Sequence, residues 1–110
     1  TNPNIILPYT GSQLPVISNM GHVWHLFVIR TKNRDKLQQN LHEHGIQTLI
    51  HYPIPPHKQN AYKGFSIQNL PVTEQIHREV LSLPLSPIMK KQEVNYVIER
   101  INEAYLFGNQ

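Results

Sequence analysis

Three helices are predicted from apolar residues that recur at intervals of three and four positions. They run over about Arg34–His44, from near Pro71, and over about Lys91–Leu106. Asn33 suits the N-cap of the first helix, and Gly45 suits the position just past its end. The apolar residues that form the predicted buried stripes are Leu37 and Leu41, then Val72, Ile76 and Val80, and finally Val94, Val97, Ile98, Ile101 and Tyr105.

Three short strands alternate with these helices, at His22–Thr31, Ile46–Tyr52 and Leu81–Leu85. Both faces of the first strand are largely apolar, as in a central strand that is covered on both sides. The order β-α-β-α-β-α predicts the α+β fold class, with a small three-stranded sheet and helices packed mainly on one face. We expect the other face to meet a domain outside this chain.

The domain boundaries follow from the proline and glycine positions. Residues 1–21 hold three prolines and two glycines around one short apolar run, and they are predicted to be a linker from a missing large domain. Residues 22–107 form the predicted domain, and 108–110 form a tail. At 110 residues, this is a single-domain length. The chain begins at Thr1 rather than Met, so we expect it to be a piece of a longer protein.

Composition narrows the possible partners. The net charge of +3 is too small and too scattered to indicate nucleic acid binding. The densest basic cluster, Arg30, Lys32, Arg34 and Lys36, could meet phosphates, but a solvated face is the favoured interpretation. No apolar run approaches the roughly 18 residues of a membrane helix. The absence of cysteine excludes disulfides and thiolate metal ligands, and it agrees with a cytoplasmic protein.

A proline-rich loop carries the densest set of reactive side chains. Prolines at 53, 55 and 56 fix the backbone in an extended form, with His51 and Tyr52 before them and His57 after them. Loops that present polar groups from a rigid scaffold are common sites of binding and catalysis. The alternative is a stiff connection with a few surface rings.

The segment Ile50–His57, followed by Gln59, Ala61 and Tyr62, resembles the C-terminal domain of the pyridoxal-phosphate-dependent nucleotide-sugar aminotransferases of the DegT/StrS type. Four other segments resemble the same family in the same order: His22–Arg30, Gly45–Thr48, Leu70–Glu74 and Leu81–Pro84.

This resemblance implies the small domain of a fold-type I pyridoxal phosphate transferase. In the family, the lysine that forms the Schiff base and the cofactor phosphate site belong to the large domain. The resemblance therefore implies no catalytic or cofactor-binding residue in this chain, which alone would be inactive. It implies a cytoplasmic homodimer that uses glutamate as donor and aminates a keto-sugar nucleotide, expected to be a dTDP-3-keto-6-deoxyhexose, for surface polysaccharide.

The small domain would form one wall of the active-site cleft. We expect His51 and Tyr52 to contact the diphosphate or sugar hydroxyls of the nucleotide-sugar, because an imidazole and a phenol can each donate a hydrogen bond to an anionic oxygen. His57 and His25 are further candidates for substrate binding. His25 is the one polar side chain on its strand face, and a buried histidine with a backbone partner is the alternative there.

Three other functions compete with this one. The histidine spacings argue against zinc, because His22 and His25 lie on opposite faces of a strand and two ligands from the loop do not close a tetrahedral site. A sugar dehydratase of the same family remains open, since the deciding lysine lies elsewhere. A stand-alone module that binds a nucleotide or a peptide also remains open.

Overall fold

The computed structural model describes residues 2–8, 24–65 and 69–106. These residues form β1 (Phe27–Arg30), α1 (Arg34–Glu43), two short 3-10 segments (Pro56–Lys58 and Asn60–Phe65), α2 (Pro71–Glu79), β2 (Val80–Leu83) and α3 (Lys91–Leu106). The α+β class is confirmed, and so are the predicted starts of all three helices. Most of the predicted linker, the first two residues of the first predicted strand and the tail at 108–110 lie outside the described residues.

The core forms where β1 and β2 pair. The two strands are antiparallel, with Ile29 opposite Leu81. Both of these side chains are fully buried, and they pack with apolar residues from α1 and α3. The buried cluster consists of Ile29, Leu37, Leu41, Ile46, Leu81 and Ile101. These helices therefore bury the apolar stripes that would otherwise be exposed to water.

The predicted three-stranded sheet is not confirmed, because the segment 46–52 makes only one bridge in the described structure. Leu49 exchanges both backbone hydrogen bonds with Ser82, at 3.2 and 2.8 Å. The next hydrogen-bonded pairs of an antiparallel ladder would involve Pro84 and Val80. Pro84 has no N–H, and the N–H of Val80 is already bonded to the carbonyl of Ile76 at the end of α2. Each of these pairs could therefore form at most one of its two hydrogen bonds, which weakens the ladder in both directions.

A second isolated bridge lies at the opposite edge of the sheet, next to β1. Ile6 and Arg30 exchange two backbone hydrogen bonds of 2.9 Å each. The short apolar run within the predicted linker thus pairs with β1, which makes β1 and β2 the two central segments of four.

The start and end of α1 show which local predictions were correct. Gly45 follows the helix with φ +75°, a conformation that favours glycine, as its predicted position past the helix end requires. Asn33 occupies the N-cap position, but its side chain makes no capping hydrogen bond.

The buried stripes of α2 and α3 are narrower than predicted. Val72 is exposed. The reason is that α2 meets β1 at its C-terminal end, where Arg30 pairs with Glu79, and Val72 lies about 10 Å further along the helix. In α3, Ile101 is buried, whereas Val94 and Ile98 are exposed.

Candidate functional site

An open groove of about 860 Å³ lies along β2, between the segment that follows α1 and the start of α3. Most of its walls are apolar. The polar side chains that line it include His25, Thr48, His51, Ser82, Ser86 and Tyr96. Two of the four side chains predicted to bind substrate, His25 and His51, are therefore brought together in one concave surface. A cleft with apolar walls and a few polar groups is the usual form of a small-molecule site.

His51 is held in the groove by a buried serine. Nδ1 of His51 lies 2.8 Å from Oγ of Ser82, and Ser82 is itself fixed by its backbone bonds to Leu49. Nε2 of His51 has no partner in the described part of the chain. The arrangement thus fixes the ring and leaves one nitrogen for a ligand.

Tyr52 lies beside the groove and is not one of its lining residues. Its residue surface is 64% exposed, and its ring meets the His51 ring edge-on, with centroids 5.5 Å apart and an interplanar angle of 89°. Its backbone carbonyl oxygen lies 2.5 Å from Nδ1 of His77 in α2. The phenol is therefore exposed next to His51, while the backbone that carries it is attached to α2.

His57 is placed differently from the expectation for a substrate contact. It is only 6% exposed, and its Nε2 lies 3.1 Å from Oε1 of Glu74. The other oxygen of Glu74 accepts a hydrogen bond of 2.9 Å from Nζ of Lys58. These bonds from Lys58 and His57 lower the pKa of Glu74 to about 2. His57 thus faces the interior of the loop and not the groove.

His25 is exposed at the groove. The alternative predicted for it, a buried histidine with a backbone partner, is therefore wrong. Its side chain is thus accessible at the groove.

Three polar residues that stabilise this region were not predicted from the sequence. Ser82, Glu74 and His77 each contact the proline-rich loop or the histidine before it. For Ser82, the available signal was a single hydroxyl in an apolar strand. For the other two, it was their i, i+3 spacing on one helix.

The basic cluster is partly used within the fold. Arg30 pairs with Glu79 at 2.7 Å. Arg34 pairs with Asp35 at 2.7 Å and donates a 2.9 Å hydrogen bond to the carbonyl of His77. Two of the four cations therefore have intramolecular partners, which weakens the alternative of a phosphate site.

The lysines of the chain do not fit a covalent pyridoxal phosphate site. A lysine that forms a Schiff base needs a desolvated position that lowers its pKa. All six lysines are exposed: Lys32, Lys36, Lys58, Lys63, Lys90 and Lys91. Among the described residues there is also no group of three or more histidines and carboxylates able to hold a metal ion. Within the same residues, no helix has the length and apolarity needed to cross a bilayer.

Together, the described residues form a small α+β unit with an open, largely apolar groove along β2. The chain belongs to the DegT/DnrJ/EryC1/StrS aminotransferase family, whose model matches residues 7–102.

Named relatives and solved structures agree with this assignment. The chain is 52% identical to dTDP-3-amino-3,6-dideoxy-alpha-D-galactopyranose transaminase of Aneurinibacillus thermoaerophilus. The 101 aligned residues cover 92% of the chain and 26% of that protein. It is 42% identical to dTDP-3-amino-3,4,6-trideoxy-alpha-D-glucose transaminase of Streptomyces venezuelae, over 84% of the chain and 25% of that protein. The crystal structure of S. venezuelae DesV in complex with a ketimine intermediate superposes with a TM-score of 0.78 at 40% identity, over 92% of the chain and 26% of DesV. The chain spans about a quarter of the length of these relatives.

Proposed function

We propose that this chain is the C-terminal small domain of a fold-type I, pyridoxal-phosphate-dependent aminotransferase that acts on a keto-sugar nucleotide. Residues 22–107 form the small domain in this proposal, and 1–21 lead from a large domain. Family membership supports the class of enzyme. The exposure of all six lysines supports the assignment of the cofactor site to the large domain, and the small domain alone is then inactive.

The proposed substrate is a dTDP-3-keto-6-deoxyhexose, with glutamate as amino donor. Two relatives, at 52% and 42% identity, are named as transaminases of dTDP-linked 3-amino deoxyhexoses, which supports this class of sugar. The proposed setting is a homodimer in the cytoplasm that supplies amino sugars for surface polysaccharide.

Exposed apolar side chains favour this proposal over a stand-alone binding module. Leu49, Val72, Ile88 and Leu106 are all more than half exposed. A large domain would cover part of this surface, whereas a stand-alone module would leave it in water.

The hydrogen bond between His51 and Ser82 is the observation on which the proposed site depends. When the Ser82 hydroxyl donates to Nδ1, the ring proton of His51 lies on Nε2, which can donate to an oxygen of the nucleotide diphosphate or the sugar. The exposed Tyr52 hydroxyl supplies a second donor beside it. His25 supplies a third from the same groove. Direct contact by His57 is disfavoured because its side chain is buried.

The test is steady-state kinetics of the full-length enzyme that carries this sequence. We expect His51→Ala and Tyr52→Phe each to lower kcat/KM for the sugar nucleotide by about tenfold or more, the effect of losing one hydrogen bond to a charged group. The absorption spectrum of the bound cofactor should not change. His42→Ala, an exposed histidine on α1, is the matched control. Unchanged sugar kinetics in both site variants would remove these residues from the proposed site.

A further inference from the structure

One face of α2 contacts both ends of the proline loop, defined here as residues 52–58. Glu74 and His77 are three positions apart, so they lie on the same side of the helix. His77 bonds through Nδ1 to the Tyr52 carbonyl at the start of the loop, at 2.5 Å. Glu74 contacts His57 at 3.1 Å and Lys58 at 2.9 Å, at the end of the loop. Two neighbouring side chains of one helix thus span the whole loop.

The chemistry of these contacts determines the tautomers of the two histidines. A carbonyl oxygen only accepts, so His77 must donate from Nδ1. The carboxylate of Glu74 is ionised at neutral pH and also accepts, so His57 must donate from Nε2. Nδ1 of His57 is buried and has no partner within the described residues, which suits the nitrogen that carries no proton. The two rings are therefore expected in opposite tautomers.

The helix that makes these contacts is itself attached to the rest of the fold. Both Nε and Nη2 of Arg30 in β1 bond to Oε2 of Glu79, at 3.1 and 2.7 Å. Arg34 in α1 donates to the backbone carbonyl of His77 at 2.9 Å. These contacts fix the position of α2 relative to β1 and α1, and they do not involve the loop.

We propose that α2 acts as a clamp on the proline loop. His77 is the positioning residue for the backbone of Tyr52 and, through the edge-on ring contact, for His51. Glu74 is the positioning residue for the end of the loop at His57 and Lys58. The importance of the clamp for substrate binding rests on the function proposed above. The clamp itself does not, because it is defined by contacts within this chain.

Amide hydrogen exchange and histidine ¹⁵N NMR on the 110-residue chain test the clamp without any substrate. His77→Leu removes the donor, whereas His77→Asn keeps a donor near the position of Nδ1. The loop amide to follow is that of Lys58, which donates to the Pro55 carbonyl at 2.9 Å. We expect His77→Leu to speed its exchange by about fivefold, the effect of one lost hydrogen bond, and His77→Asn to restore most of the protection. Glu74→Gln should loosen the end of the loop at Lys58. Arg78→Ala, an exposed neighbour on α2, should change neither.

Two results would overturn the clamp. One is loop exchange in His77→Leu that equals that of Arg78→Ala. The other is a wild-type spectrum in which His77 carries its proton on Nε2. If His77→Leu fails to fold, His77→Gln makes the same comparison with His77→Asn, since its amide reaches toward the position of Nε2 and should not restore protection.

Kinetics of the full-length enzyme then separate the two proposals. A clamp that serves the substrate predicts that His77→Leu raises KM for the sugar nucleotide severalfold, with kcat less affected and with rescue by His77→Asn. A loosened loop with unchanged kinetics supports the clamp and overturns its role in substrate binding. An unaltered loop overturns the clamp, whatever the kinetics of His51 and Tyr52 variants show.

Discussion

Replacing Ser82 by alanine removes the hydroxyl that holds the His51 ring at 2.8 Å. Because His51 is only half-buried, water can partly replace the lost partner, and we expect the free energy of unfolding to fall by about 1 kcal/mol. His51→Ala instead removes the partner of the Ser82 hydroxyl, on a residue that is only 4% exposed. That variant should lose about 1–3 kcal/mol.

A double-mutant cycle isolates the contact between the two side chains. Urea unfolding of the wild type, both single variants and the double variant, followed by far-UV circular dichroism, gives four free energies of unfolding. We expect the double variant to be about 1 kcal/mol more stable than the sum of the single effects predicts, because the hydrogen bond can be lost only once. This coupling energy measures how firmly the proposed site holds its imidazole.

Ser86 supplies the control for this cycle. It lines the same groove, but its hydroxyl accepts a hydrogen bond from the backbone of Ile88. Ser86→Ala combined with His51→Ala should therefore be additive to within about 0.3–0.5 kcal/mol. A coupling between Ser82 and His51 no larger than that of the control would refute the argument that the serine positions the ring.

Two further predictions concern stability. Leu41 is fully buried, so Leu41→Ala should lower the free energy of unfolding by about 3 kcal/mol in urea titrations. Leu49 is 64% exposed, so Leu49→Ala should change the free energy of unfolding by less than about 0.5 kcal/mol. Similar losses in the two variants would contradict the described core. Glu74 has a pKa lowered from 4.5 to about 2, so its stabilising effect is present above pH 4.5 and is lost as the pH falls toward 2. The difference in stability between wild type and Glu74→Gln should accordingly shrink as the pH falls from 4.5 toward 2, and a difference that grows across that range would contradict the assignment.

The features that the sequence alone determined are those set by neighbouring residues. The bounds of α3 followed from apolar residues repeating every three or four positions, and α2 was predicted to start near Pro71 because proline suits a first helical turn. The sequence also predicts that Gly45 lies past the end of α1, because that position favours a positive φ, and its φ is +75°. The residues of the proline loop also indicated the aminotransferase family, which the family match confirms.

Other features depend on residues far away in the chain, so local sequence patterns do not predict them. Whether 46–52 forms a strand depends on the N–H groups that β2 can offer, and Pro84 and Val80 offer none. The partner of His51 lies 31 residues away, and the partner of the Tyr52 carbonyl lies 25 residues away. Periodicity predicts which face of an element is apolar. It does not predict which polar group the folded chain brings to that face, because that depends on how distant elements pack.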